Sequence, residues 1–96
     1  MPRLIWSPEA LDDVWQLSRF LAAKSPQAAV RAIKVLRSGV NAIAQHPEIG
    51  RPAEDMETEF REWLIDFGDS GYIVLYYFDG QATLIVAVRH QKEAGY

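Results

Sequence analysis

The 96-residue chain carries 10 lysines and arginines against 13 aspartates and glutamates, a formal net charge of -3, with 49% hydrophobic residues, 24% charged residues and no cysteine. Such a composition belongs to one globular domain, here spanning 1–96, and it excludes disulfides and thiolate metal sites. The acidic balance disfavours docking onto phosphate-dense surfaces, because nucleic-acid affinity comes largely from basic side chains that neutralise phosphates. The opening MPRLIWSPEA lacks the long apolar run of a signal peptide, and no stretch reaches the roughly 18 apolar residues of a membrane span. A cytoplasmic protein with no membrane attachment is the expectation.

A short apolar segment, PRLIW, opens the chain and is followed by Ser7, Pro8 and Glu9. Serine at the N-cap, proline at the first helical position and Glu9, Asp12 and Asp13 near the start complement the free N–H groups of a helix N-terminus. A helix over about residues 8–24 is predicted. Leu11, Val14, Trp15, Leu21 and Ala22, widened by Leu17 and Phe20, form its expected buried face. Ser25 and Pro26 repeat the same signal, and Ala29, Ile33, Leu36, Val40 and Ile43 mark the seam of a second helix ending near Gln45, before Pro47. Helices joined by so few residues form an antiparallel hairpin. Arg31, Lys34 and Arg37 lie off the seam, as a solvated face.

HPEIGRPAEDMETE, residues 46–59, reads as a connecting loop punctuated by Pro47, Gly50 and Pro52, with Glu54, Asp55, Glu57 and Glu59 as an acidic cluster. From residue 60 the period changes. FREWLIDF, GYIVLYYF and ATLIVAVR are rich in aromatic and β-branched residues, and Asp79-Gly80 between the last two is a strong hairpin signal. The first of the three alternates as an edge-like strand would, whereas the last two are apolar on both parities and belong at the centre. The fold class is therefore α+β: β-α-α-β-β-β, an antiparallel helical hairpin packed on one face of a small, mainly antiparallel sheet, with PRLIW beside the final strand.

The chain closes on RHQKEAGY, residues 89–96. Cleavage of RNA through its 2′-hydroxyl calls for a base, a cation near the phosphate and an acid for the leaving oxygen. His90 or Glu93 suits the base, Arg61 or Arg89 the cation, and Tyr96 the acid or a stacking platform. The same residues equally suit a strand end emerging into water. His46 and His90, the two histidines, are far apart and lack helical ligand spacing, so no metal is expected and no cofactor is implied. Aromatic side chains are numerous for so small a core, and those left exposed suit a protein-binding surface.

SPEALDDVWQLSRFLA, HPEIGRP, FREW with GYIVLYYF, and the closing VRHQKE, in that order, resemble the RelE/ParE superfamily of bacterial type II toxins. The resemblance covers nearly the whole chain. It implies a compact toxin neutralised by a cognate antitoxin, with RelE-like members cleaving messenger RNA on the ribosome and ParE-like members acting on DNA gyrase. Where RelE-like ribonucleases carry an arginine after the tyrosine of the GY strand, this chain has Ile73. Where they carry basic residues along the preceding strand it has Trp63 and Asp66 beside Arg61, and their late arginine falls nearest Gln91 or Lys92. Arg61 and His90 match ParE-like positions instead.

The resemblance thus leans toward a gyrase-binding, non-enzymatic toxin. Its expected target-binding residues are Arg61, Arg89, His90, Lys92, Glu93 and Tyr96, with residues 89–96 as a recognition tail. The alternative is a ribosome-dependent endoribonuclease using Arg61, His90, Glu93 and Tyr96, and a second is a non-toxic antitoxin-binding homologue. An amphipathic antitoxin helix is expected to dock on Trp15, Phe20 and Trp63, and the free chain to form a homodimer through the same surface. Direct sequence-specific nucleic-acid binding is not expected.

Overall fold

Ser25 shows how local chemistry sets the helical hairpin. Its N–H donates to the Leu21 carbonyl at 2.7 Å, closing the first helix, and its hydroxyl accepts from the Ala28 N–H at 3.2 Å, opening the second. One residue both ends and begins a helix, so the two must turn back on each other. Ser7 caps the first helix likewise, accepting from the Ala10 N–H at 3.0 Å. The structure, a computed structural model, describes residues 3–92. In chain order the elements are β1 Arg3–Trp6, α1 Pro8–Lys24, α2 Pro26–Gln45, β2 Arg51–Pro52, β3 Phe60–Phe67, β4 Ser70–Phe78 and β5 Ala82–His90.

The sheet order is β1-β5-β4-β3-β2. β1 runs parallel to β5, pairing Leu4 with Thr83 and Trp6 with Ile85, while β3, β4 and β5 form an antiparallel meander. The α+β arrangement and the central place of β4 and β5 follow the sequence expectation. The loop expectation for residues 46–59 needs one correction. Arg51 and Pro52 pair with Glu62 and Arg61 as the short strand β2, and an Arg51–Glu62 ion pair at 3.1 Å reinforces the contact. Proline suits such an edge because it has no N–H to donate.

One face of the sheet meets both helices. The main core gathers Ala10, Ala32, Leu36, Val40 and Ile43 from the helices with Ile65, Tyr72, Val74, Tyr76, Ile85 and Val88 from the sheet. α2 buries the expected seam, with Ala32 joining it and Ile33 at its margin. α1 does not. Leu11 is 55% exposed, Trp15 61% and Phe20 60%, and Ala22 is exposed too, whereas Ala10, Val14, Leu17 and Leu21 face the core. Both rows have helical spacing, and the small, fully buried Ala10 lets the start of α1 approach the sheet closely enough to turn its own row inward. On the far face a smaller cluster, Ala53, Leu75 and Ala87 with Phe60 and Val86, lies under the acidic loop.

Candidate functional site at the end of β5

β5 ends where α1, the β3–β4 turn and the last described residues converge. Leu17, Phe20 and Leu21 of α1, Phe67 and Tyr72 of the hairpin, and Val88, Arg89, His90 and Lys92 line a groove of about 610 Å³ with Asp13, Gln16, Asp69 and Ser70 at its polar margins. The walls are apolar and the rim is charged, a combination suited to an amphipathic partner.

His90 is held from three sides. Its Nδ1 accepts the Lys92 backbone N–H at 3.1 Å, its Nε2 lies 3.0 Å from Ser70 Oγ, and its ring meets Tyr72 edge-on with centroids 5.6 Å apart. Because Nδ1 accepts, the proton of the neutral ring sits on Nε2 and is donated to Ser70. That tautomer is the reverse of the one a base needs to activate a serine hydroxyl. Arg89 donates from Nη1 to Asp13 Oδ1 at 2.8 Å, and Asp13 Oδ2 accepts the Val88 N–H at 2.9 Å. The Gln91 N–H donates to the Gly71 carbonyl at 2.9 Å, continuing the strand pairing beyond His90. Burial beside the groove raises the Tyr72 hydroxyl above its ordinary pKa.

Arg61 sits elsewhere. On β3 it pairs with Tyr76, whereas His90 pairs with Tyr72, the partner of Ile65. Four residues of β3 separate those positions, roughly 13 Å along the strand alone. Arg61 Nη1 donates to the carbonyls of Gly50 at 2.7 Å and Glu48 at 3.2 Å. Beside it the buried Tyr76 hydroxyl donates to the Pro47 carbonyl at 2.7 Å and accepts the Gly50 N–H at 2.8 Å. Burial raises the Tyr76 pKa, against a lowering by the Gly50 bond and the Arg61 charge and a further rise from Glu48.

Of the sequence-predicted residues, the structure brings Arg89, His90 and Lys92 together and leaves Arg61 apart. Glu93 and Tyr96 lie outside the described residues. Trp15 and Phe20 are both exposed on α1, but only Phe20 lines the groove, and Trp63 is half-buried against the core. Lys24 Nζ lies 4.5 Å over the Phe20 ring, a cation–π contact about one turn further along α1. Asp13, Ser70 and Phe67 were not singled out as site residues from sequence. Asp13 sits three residues after Ala10 and four before Leu17 on the side of α1 that faces the core, a row that the sequence expectation, which left out Ala10, did not mark. Among the described residues no three His, Cys, Asp or Glu side chains gather as a metal site, and no helix is long and apolar enough to cross a membrane.

The profile of the family described as "ParE toxin of type II toxin-antitoxin system, parDE" matches residues 4–95. The chain is 35% identical over 86 residues to Toxin RelE3 of Caulobacter vibrioides, covering 90% of both chains. It is 29% identical over 90 residues to Toxin RelE2 of the same organism, covering 94% of this chain and 96% of that one. Its fold is similar to a solved structure titled "Chromosomal ParDE TA system from P. aeruginosa", with a TM-score of 0.77, 18% identity, and 94% and 96% of the two chains covered. With the profile spanning nearly every residue and the hairpin-on-sheet architecture in agreement, the chain belongs to the ParE toxin family of type II toxin–antitoxin systems.

Proposed function

We propose that this chain is a ParE-like toxin that arrests growth in the cytoplasm by binding DNA gyrase, without chemistry of its own, and is silenced by a cognate antitoxin. The observation that carries this reading is the separation of the groups a nuclease would need to converge. Arg61 braces a loop at one end of the sheet while His90 lies at the other, and Arg89 is paired with Asp13. Acid–base cleavage requires donor, acceptor and cation within hydrogen-bond reach of one phosphate. A protein target places no such demand, and it suits a net charge of -3. The target-binding surface in this reading is the β5 end, with Arg89, His90 and Lys92 presented beside the groove, and Glu93 and Tyr96 continuing it in sequence. The antitoxin covers α1 around Trp15 and Phe20 and reaches toward Trp63, and the free toxin pairs with a second copy through the same α1 surface.

The names of the two Caulobacter relatives, RelE3 and RelE2, favour a second reading, ribosome-dependent cleavage of messenger RNA. Induced expression without antitoxin separates the two. Early induction of a DNA-damage reporter while protein synthesis continues is the expected result. Immediate loss of protein synthesis with cut messengers would transfer the assignment to the nuclease.

A further inference from the structure

β1 covers only the first part of the outer edge of β5, pairing residues from Ala82 to Ile85. β5 continues to His90. A strand edge without a partner leaves N–H and C=O groups open, and here backbone and side-chain groups from Ser7 and α1 take the place of the missing strand. The Ser7 N–H donates to the Ile85 carbonyl at 2.9 Å and its hydroxyl to the Val86 carbonyl at 3.2 Å. Asp13 completes the row. One of its oxygens accepts the Val88 N–H at 2.9 Å and the other accepts the Arg89 guanidinium at 2.8 Å, across 75 and 76 residues of sequence.

We propose that Asp13 is a positioning residue for the target-binding end of the toxin: its carboxylate fixes the line along which β5 presents Arg89, His90 and Lys92 and ties that line to the seating of α1. This inference rests on the reading of the β5 end as target-binding. Geometry asks for a carboxylate, because both oxygens accept at once and one of the two donors is charged. Asparagine keeps one acceptor for Val88 but turns an N–H₂ toward the guanidinium, donor against donor. Glutamate carries one further methylene, which displaces the carboxylate by about 1.5 Å. Downstream, the Gly71 and Ser70 ties of Gln91 and His90 begin only one residue beyond Arg89, so the direction set at residues 88–89 is passed directly to the rim.

The test uses the full chain with Asp13→Ala, Asp13→Asn and Asp13→Glu, and with Val40→Ala as a core variant on α2, the helix that packs mainly against α1 and β3. Growth arrest is scored as the inducer level needed at equal soluble protein. Amide exchange at Val88 and the guanidinium nitrogen resonance of Arg89 are read on the isotope-labelled chain made by cell-free synthesis. Expected are loss of both signatures in Asp13→Ala, and retained Val88 protection with a shifted Arg89 resonance in Asp13→Asn. Both variants should need about tenfold more inducer, the scale of one lost charge-assisted hydrogen bond. Val40→Ala should arrest growth as the parent does once folded amounts are matched, and Asp13→Glu should recover at most part of the loss. Parent-like arrest in Asp13→Ala and Asp13→Asn, or an unchanged Arg89 resonance in Asp13→Asn, overturns the proposal. Should the parent itself fail to arrest growth, the toxin reading falls, and positioning by Asp13 is then decided by the exchange and guanidinium signatures alone.

Discussion

The two ends of the sheet employ the same side-chain types to opposite purposes. Where β3 begins, Arg61 and Tyr76 point their polar atoms at Pro47, Glu48 and Gly50, the backbone of a turn that no helix or strand would otherwise satisfy. Where β5 ends, Arg89, His90 and Tyr72 meet other side chains around an open groove. The first end is a closed brace and the second an accessible surface on a rigid support. The difference teaches that an arginine or tyrosine declares its role through its partners: orphaned backbone groups recruit it into a closed turn, whereas beside an open groove it is held by other side chains.

Glycine substitutions give the sharpest way to break that comparison. A Cβ on Gly50 would lie 2.6 Å from both the Glu62 carbonyl oxygen and the Tyr76 hydroxyl, inside the brace, where neither neighbour can retreat without breaking a bond. Gly50→Ala is expected to cost about 3 kcal/mol, the upper range for overpacking. Gly68, in the turn beside the groove, has φ +63° and open space around it. Its alanine variant should cost about 1 kcal/mol, the backbone penalty alone. Urea unfolding of both variants measures the contrast, and equal losses would mean that the two ends are braced alike.

Tyr76→Phe comes next, at about 2 kcal/mol, because it leaves the Gly50 N–H and Pro47 carbonyl without their partner. The variant also carries a pH signature. Burial raises the pKa of both Tyr72 and Tyr76 in the folded state, so their contribution to stability is fully present below the unfolded value near 10 and is lost as pH rises through the raised folded values. The urea midpoint should therefore fall above about pH 10 in the parent and fall less steeply in Tyr76→Phe. A parent midpoint that stays level through that range contradicts the account.

Much of this architecture was legible because its causes are local. The serine–proline pairs place both helix starts at Pro8 and Pro26 through N–H groups three residues away, and the Asp79-Gly80 signal marks the β4–β5 turn, where Asp79 Oδ1 accepts from both Gln81 and Ala82 N–H at 2.9 Å. What escaped depends on partners distant in sequence. The choice between two apolar rows on α1 turns on how closely Ala10 and Asp13 approach β5, more than 70 residues away. β2 exists because Arg51 and Pro52 pair with Glu62 and Arg61, across the acidic loop. At the site, the cluster Arg89, His90 and Lys92 stood out by residue type at a strand end, but Ser70 was hidden in a turn motif and Asp13 read as a helix-start acid. Arg61 was legible as a special residue, while its hold on two carbonyls was not.

The smallest effects compare single hydroxyls at the two ends. Ser70→Ala removes the partner of His90 Nε2 at the groove and should cost about 1 kcal/mol, leaving the ring held by Lys92 and Tyr72. Thr83 lies at the opposite end of the sheet on β5, paired with Leu4 and Phe78, and is 1% exposed. Its Oγ1 is buried without a hydrogen-bond partner, a case given only to Thr83 among the described residues. A hydroxyl in that state has lost its hydration and gained nothing in return, so replacing it with a methyl removes a penalty while keeping the β-branched shape that the strand favours. Thr83→Val is accordingly expected to raise stability, by up to about 1 kcal/mol, and to leave growth arrest untouched. The two signs together carry the point. A hydroxyl lost from the groove end weakens the molecule because it was bonded, and one lost from the braced end strengthens it because it was not. A drop in the urea midpoint of Thr83→Val would show that this end holds a partner for Oγ1 and that its brace extends further along β5 than Arg61 and Tyr76 reach.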